Sequence, residues 1–447
     1  MYRMRFAALP LTAALLLTSP PGVRATDGHF LHGVGAINSA VGGAGVAGGS
    51  DLLGTMYLNP AGLMAFRGTR VDLAFELFQP DRTVLSSAGP AGSGSTTSKS
   101  DFVPIPAFAW SSMLKGGRVV VGLAGLGIGG FGVDYPVDPT NPVLAPRPFG
   151  FGQVYSNYQL MKIMPSLAFK VSEKLWLGAS LNVDWASLAV DPFPVADPDV
   201  DPGPDGQPFT QDDRAFYPSA SAADGAFGLG FQVGFIYRPN DLLSIGGAYT
   251  STQKFDDFEF NATHANPNLS NFGTPYPISF GLDVPAVLAG GVALTAMPNV
   301  RLMGDVRYIF YENTDGFSGS GFTQTGAVKG FGWQNILVLA GGVEIKAGNR
   351  VALRGGWNHS DSPIPGDLSM FNVPAPGIVQ DHLTLGFGIQ ATRRFGISAA
   401  YYHAFENRVT GPFQRPTGPL AGTSVSSTLS EDSFLVQFSV GSRGEIF

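Results

Sequence analysis

The sequence predicts an all-β protein: a transmembrane antiparallel β-barrel of about fourteen strands, with an amino-terminal hatch, or plug, inside the lumen. Three observations lead there. The 447 residues are 44% hydrophobic yet only 14% charged, where a soluble protein carries about a quarter charged residues. Beyond the leader there is no apolar run of about twenty residues, the length a membrane helix needs. From residue 69 onward apolar and polar residues alternate with period two, and tight turns alternate with long loops.

Residues 1–25 read as a signal peptide. Arg3 and Arg5 form a positive start, Phe6 to Leu17 a short apolar stretch, and Val23-Arg24-Ala25 a cleavage site. A single membrane anchor would need a longer run. Residues 26–67 read as the plug. The stretch Gly33 to Leu63 is dense in glycine, and glycine costs backbone entropy while contributing no side chain. Such a segment cannot build a core and must pack inside something else. Ala36 to Val46 has room for one or two helical turns, and Asn59-Pro60 marks a sharp turn.

Residues 68–447 read as the barrel. Val71, Leu73, Phe75 and Leu77 alternate with Asp72, Ala74, Glu76 and Phe78. Phe227, Leu229, Phe231, Val233, Phe235 and Tyr237 alternate with small or polar residues, and Leu383, Leu385, Phe387 and Ile389 repeat the pattern. One face is nearly free of charge, as a lipid-facing surface requires. Strands are expected near 69–79, 102–113, 118–129, 156–170, 174–189, 224–238, 241–262, 278–296, 299–312, 334–346, 350–360, 380–391, 395–407 and 430–442. Tight turns such as Lys115-Gly116-Gly117 and Ala347-Gly348-Asn349 fall on one side only, the pattern of short periplasmic turns and long external loops.

The segment GVGA…GGAGVA…D…Y-NPAGL, directly behind a leader, resembles the amino-terminal hatch of the FadL/TodX family of outer-membrane transporters of hydrophobic compounds. Asn59, Pro60 and Ala61 match its asparagine-proline-alanine signature. Ser50-Asp51 departs from it, standing where many relatives carry consecutive acids. The resemblance implies fourteen strands, the bacterial outer membrane, a monomer surrounded by outer-membrane lipid, and assembly by the barrel-assembly machinery. It also implies passive uptake of long-chain fatty acids or another hydrophobic small molecule, without cofactor or catalysis. In that family a kink in the third strand opens the wall sideways. Gly125, Gly127, Gly129 and Gly130 crowd the third strand here, and glycine within a strand marks a bulge or close backbone approach. They are therefore the expected lateral opening; plain packing against the plug is the alternative.

The charged residues offer a second set of candidates. Arg301, Glu344, Arg350 and Arg354 are expected to face inward near the periplasmic rim on three consecutive strands. They read either as a network that holds the wall and plug or as a cation that draws in a fatty-acid carboxylate. Lys162 is a further inward candidate. The acids between Asp191 and Asp213 are rich in oxygen, but Pro198, Pro202 and Pro204 break the loop geometry of a calcium-binding EF-hand. His29 and His32 on one helical face would be an incomplete metal site. Gly43-Ala-Gly45-Val-Ala-Gly48 satisfies a dinucleotide fingerprint but lacks the preceding strand, the following helix and the acid it needs. A net charge of −7 argues against nucleic acid, and the absence of cysteine removes disulfides and thiolate chemistry. The competing readings are a structural or adhesive barrel, a general porin, and a channel for aromatic or aliphatic hydrocarbons.

Overall fold

The computed structural model describes residues 27–100, 102–204, 206 and 214–442. The expected signal peptide and the carboxyl-terminal Phe447 lie outside them. Period-two alternation builds a wall with one greasy and one polar face. Fourteen strands form it: β1 (Thr69–Ser87), β2 (Val103–Met113), β3 (Val119–Tyr135), β4 (Val154–Lys170), β5 (Leu175–Asp191), β6 (Ala220–Tyr237), β7 (Leu243–Thr250), β8 (Val287–Met297), β9 (Val300–Ile309), β10 (Ile336–Ala347), β11 (Val351–Ser360), β12 (Asp381–Thr392), β13 (Phe395–Gly411) and β14 (Ser424–Gly441). Each pairs antiparallel with its successor, and β14 returns to β1, with Val71 opposite Val440, to close the cylinder. Closure leaves no free sheet edge in the bilayer, where an unpaired backbone group would cost several kcal/mol.

The outward face matches the sequence reading. Phe227, Leu229, Phe231, Val233, Phe235 and Tyr237 of β6 are all exposed, as are Leu383, Leu385, Phe387 and Ile389 of β12. The inward partners Asp72, Glu76, Asp184, Gln232, Asp305, Thr384 and Gln437 are buried. Turns at one rim are tight, and loops at the other are long.

Two strands take a different course from expectation, and others run past their expected ends, β1 to Ser87 and β3 to Tyr135. The predicted strand 241–262 ends at Thr250; Phe258–Thr263 instead pairs with Pro275–Phe280 in a separate hairpin. The predicted strand 278–296 accordingly begins in the wall only at Val287. Period two runs through wall and hairpin alike, so periodicity does not separate them.

Residues 27–66 lie inside the cylinder and are nearly all buried. They form two short helices, α1 (Gly35–Ser39) and α2 (Leu52–Leu58), and a 3-10 turn over Pro60–Ala65. Asp51 caps α2 by accepting from the Gly54 amide at 3.1 Å. His29 and His32 precede α1 and share no helical face.

Candidate functional site

The amino-terminal segment has little regular structure, so its backbone polar groups need partners, and a buried unpaired group is costly. The lumen-facing side chains of the wall supply them. Asp305 accepts from the amides of Gly45 and Val46 at 2.6 and 2.9 Å. Asp72 accepts from Leu52 N at 2.9 Å, and Gln437 from Ile37 N at 3.3 Å. Thr384 both accepts from Gly42 N and donates to Ala40 O. Arg307 pairs with Asp27 at 3.0 Å and donates to His32 O at 3.2 Å. Burial pushes Asp27 up to about 6 against the pull of Arg307, and burial lowers His29 to about 3, leaving a neutral imidazole.

The Asn59-Pro60-Ala61 motif is the junction between segment and wall. The Asn59 side-chain amide donates to Val46 O at 2.8 Å within the segment, to Phe235 O on β6 at 3.0 Å, and to Gly247 O on β7 at 3.4 Å. Its Oδ1 accepts from Ala61 N at 3.1 Å, capping the turn that Pro60 starts. Ala61 is wholly buried against β5, where a methyl on Gly178 would lie 2.2 Å from Ala61 N.

On the third strand, β2 and β3 pair only from Ala107 opposite Leu126 to Met113 opposite Val120. Above that, Val103 to Pro106 pair with β1 alone. Pro104 and Pro106 bring no N–H to a ladder. The facing edge of β3 is taken up by the amino-terminal segment instead. Leu31 N donates to Ile128 O at 3.0 Å, and Gly130 N to His29 O at 2.9 Å. The register of β3 with β4 slips between Gly127 and Gly129, a bulge at Ile128. Gly129 has no room for a side chain, since a Cβ there would lie 2.2 Å from His29 O. Gly130 has φ of 154°, a conformation that favours glycine.

Beside this break lies a cavity of 350 Å³, lined by His29 to His32, by Phe78, Phe102, Pro104, Ile105 and Pro106, and by Gly127, Gly129, Gly130 and Phe131. Three of the four expected glycines therefore border it. Gly125 does not; it sits in the regular ladder between Phe108 and Ile163. Arg82, Tyr402, His382 and Glu431 form a polar corner of the same cavity. A further cavity of 230 Å³ opens among the long loops, lined by Phe149, Phe151, Tyr217, Phe322, Met370 and Phe413 among others. Two small apolar cavities lie between, bounded by Phe371 and Pro374, and the inner one shares Phe131 with the 350 Å³ cavity.

The expected charge ladder is only partly assembled. Arg354 pairs with Glu344 at 2.7 Å, both buried. Arg301 donates to Gly48 O and so holds the amino-terminal segment. Arg350 corrects the expectation: it is exposed in the turn before Val351, because the alternation that pointed it inward ends where the strand ends. Lys162 is inward, 4.0 Å from Asp184, in a small cavity on the other side of Phe30. In the acidic loop, Asp199 accepts from the His264 ring at 2.7 Å and from Ala265 N at 2.6 Å. Asp201 accepts from Asn268 at 3.0 Å. These acids are engaged by the protein itself. Arg82 was not foreseen, because Pro80 reads as the end of a strand whereas β1 continues to Ser87.

Comparison with known proteins places these features in a family. The family model described as outer membrane protein transport protein (OMPP1/FadL/TodX) matches residues 31–433. The fold is similar to that of the Pseudomonas putida toluene transporter TodX, with a TM-score of 0.67 at 18% identity over 92% of this chain and 99% of that one. A Pseudomonas aeruginosa FadL homologue gives a TM-score of 0.69 at 16% identity, covering 93% and 100% of the two chains. The Ralstonia pickettii toluene transporter TbuX gives 0.63 at 18% identity, covering 92% and 98%. No curated protein sequence matches. The chain belongs to the OMPP1/FadL/TodX family of outer-membrane transport proteins.

Proposed function

We propose that the protein is a passive channel for hydrophobic small molecules, with long-chain fatty acids first among them. The apolar external loops capture the ligand by burial, worth about 0.8 kcal/mol per methylene. Residues 26–67 act as a hatch that shifts, and the ligand leaves sideways between β2 and β3 into the membrane. The observation that carries this reading is the 350 Å³ cavity, bounded on one side by the hatch and on the other by the stretch of β2 that does not pair with β3. Apolar cavities that share lining residues connect it toward the loop mouth. Catalysis plays no part; the mechanism is binding coupled to a change of conformation. An aromatic-hydrocarbon channel is the second reading, favoured by the Phe193, Phe331 and Phe371 rings that line the inner small cavity.

The chain has no cysteine, so a pair of thiols can be introduced cleanly. Ile105 and Gly127 face each other across the break, where a Cβ on Gly127 would lie 2.5 Å from Ile105 Cγ2. With Ile105→Cys and Gly127→Cys joined by a disulfide or a short thiol-reactive linker, fatty-acid uptake into liposomes is expected to stop. Reduction of the disulfide restores it. Undiminished uptake through the cross-linked protein would refute sideways release.

A further inference from the structure

The tight-turn end of the cylinder is basic, although the chain as a whole carries a net charge of −7. Arg67 leads into β1, Lys115 and Arg118 lie in the β2–β3 turn, and Lys174 ends the β4–β5 turn. Arg350 ends the β10–β11 turn, and Arg393 and Arg394 make the β12–β13 turn. All seven are exposed, and among the described residues none is in an ion pair. The described turns of this rim carry two acids, Glu173 and Asp241, and Glu173 is held by Lys170 at 2.8 Å. Unpaired like charges gathered on one surface draw a partner of opposite charge.

Two features of their placement identify that partner. The cations adjoin the lipid-facing band: Leu114, Val171, Ile345 and Ile389, the large outward apolar side chains that precede them, are all exposed. They therefore stand where the wall meets the lipid headgroups, a height at which Lys and Arg lay their stems on apolar surface and hold their charge in water. They also run round the circumference. The occupied turns follow one another from β10 through β14 and β1 to β5, with the β6–β7 and β8–β9 turns outside the arc. A protein docking from one side would meet a compact patch, whereas an arc this wide faces the lipid that surrounds the barrel.

We propose that this rim binds the anionic phospholipid headgroups of the periplasmic leaflet, gathering an annulus of phosphatidylglycerol-type lipid at the end opposite the long loops. The headgroup phosphate is drawn by charge and accepts from the guanidinium and ammonium donors. Arg350, expected from sequence to face the lumen, has its place in this arc instead. None of the seven lines the 350 Å³ cavity, so the rim acts whatever the channel carries.

The test offers the purified full-length protein an equimolar mixture of phosphatidylglycerol and phosphatidylcholine with identical acyl chains, in one detergent, and counts the retained lipids by native mass spectrometry. The wild type is expected to retain phosphatidylglycerol about fivefold over phosphatidylcholine, the worth of one basic side chain beside an anionic surface, and less so as salt rises. The rim variant combines Arg67→Gln, Lys115→Gln, Arg118→Gln, Arg393→Gln and Arg394→Gln, all exposed positions, with folding checked by heat-dependent gel migration. Its retention of the two lipids is expected to agree within about twofold. Changing the same four arginines to lysine keeps the preference, because the phosphate is drawn by charge. A loop variant with Lys99→Gln, Lys329→Gln and Arg408→Gln, exposed cations of the other end, keeps it too. An unchanged preference in the rim variant would overturn the proposal, as would a loss in the loop variant matching that in the rim variant. Equal retention of both lipids by the wild type would overturn it as well, and would leave an acidic periplasmic protein as the partner of the rim.

Discussion

Asn59→Ala separates the hatch from the wall at one point. The substitution removes a side chain that bonds Val46 O, Phe235 O, Gly247 O and Ala61 N. Phe235 and Gly247 face each other in the β6–β7 ladder, so their carbonyls depend less on Asn59. The main losses are the bond to Val46 and the cap on Ala61. Two such groups contribute about 2–3 kcal/mol together. That is about 30- to 150-fold in the balance between docked and released hatch. Hydrogen exchange read by mass spectrometry on peptides spanning 41–63 should speed up by that factor. A peptide from the separate hairpin, Phe258–Thr263 with Pro275–Phe280, should not change. Asn59→Asp keeps the shape but presents a carboxylate to three carbonyl oxygens, so it should release the hatch further than alanine does. Exchange within about twofold of wild type in both variants, with the barrel folded, would refute the idea that this side chain latches hatch to wall.

Three other outcomes are expected. Gly178→Ala places a methyl 2.2 Å from Ala61 N and should accelerate exchange at 59–63, whereas Gly290→Ala, which meets nothing within 4 Å, should be silent in the same assay. Burial, reinforced by nearby Asp72, pushes the Asp51 carboxyl in the docked hatch up to about 7. A released Asp51 titrates near 3.9, so the docked state holds the extra proton between about pH 4 and 7. Docking is then strongest at the acid end and weakens as pH rises through that window. Asp51→Asn, still a good cap, should flatten this dependence in exchange rates corrected for intrinsic pH effects. In planar bilayers the filled lumen should pass little ion current, and steady porin-like conductance from the wild-type protein would contradict the plug.

The barrel was legible because lipid imposes a simple rule. Phe227 to Tyr237 had to point one way, and they do. The same rule ends abruptly at the rims, which is why Arg350 was misplaced: parity has no meaning once the chain turns. The helix α2 left no periodic signal, because six of its seven residues are buried and no polar face exists to reveal the pitch. The motif Asn59-Pro60-Ala61 was visible as a turn, yet its bonds to β6 and β7 join residues far apart in the chain, and no local pattern encodes them. Arg82 was hidden for a related reason. Whether a lumen-facing cation is paired depends on which strands close the corner, here β1, β12, β13 and β14.

In the proposed transport cycle, the wall glycines bear on which part of the amino-terminal segment would move. A Cβ on Gly234, Gly246 or Gly356 would lie 2.2, 2.3 or 2.2 Å from Asn59 Oδ1, Val46 O or Val41 C respectively. The wall is thus moulded to residues 41–61, and displacing that part would open several close-packed contacts at once. Residues 28–32 line the 350 Å³ cavity, and only Gly129 of β3 is moulded to them in the wall. They are held by the two backbone bonds at Ile128 and Gly130 and by bonds of His29 N to Tyr311, of Tyr57 to Leu31 O and of Arg307 to His32 O. Bonds of this number contribute about 3–7 kcal/mol, an amount that burial of roughly four to nine methylenes offsets at about 0.8 kcal/mol each. A ligand entering the cavity is therefore expected to displace residues 28–32 first and leave 41–61 docked. Adding oleate to the folded protein should raise exchange at Leu31 and Gly130 while the amides of α2 stay protected. Simultaneous loss of protection across 28–61 would show that the hatch moves as one body, and the moulded wall would then have to be explained by folding rather than by gating.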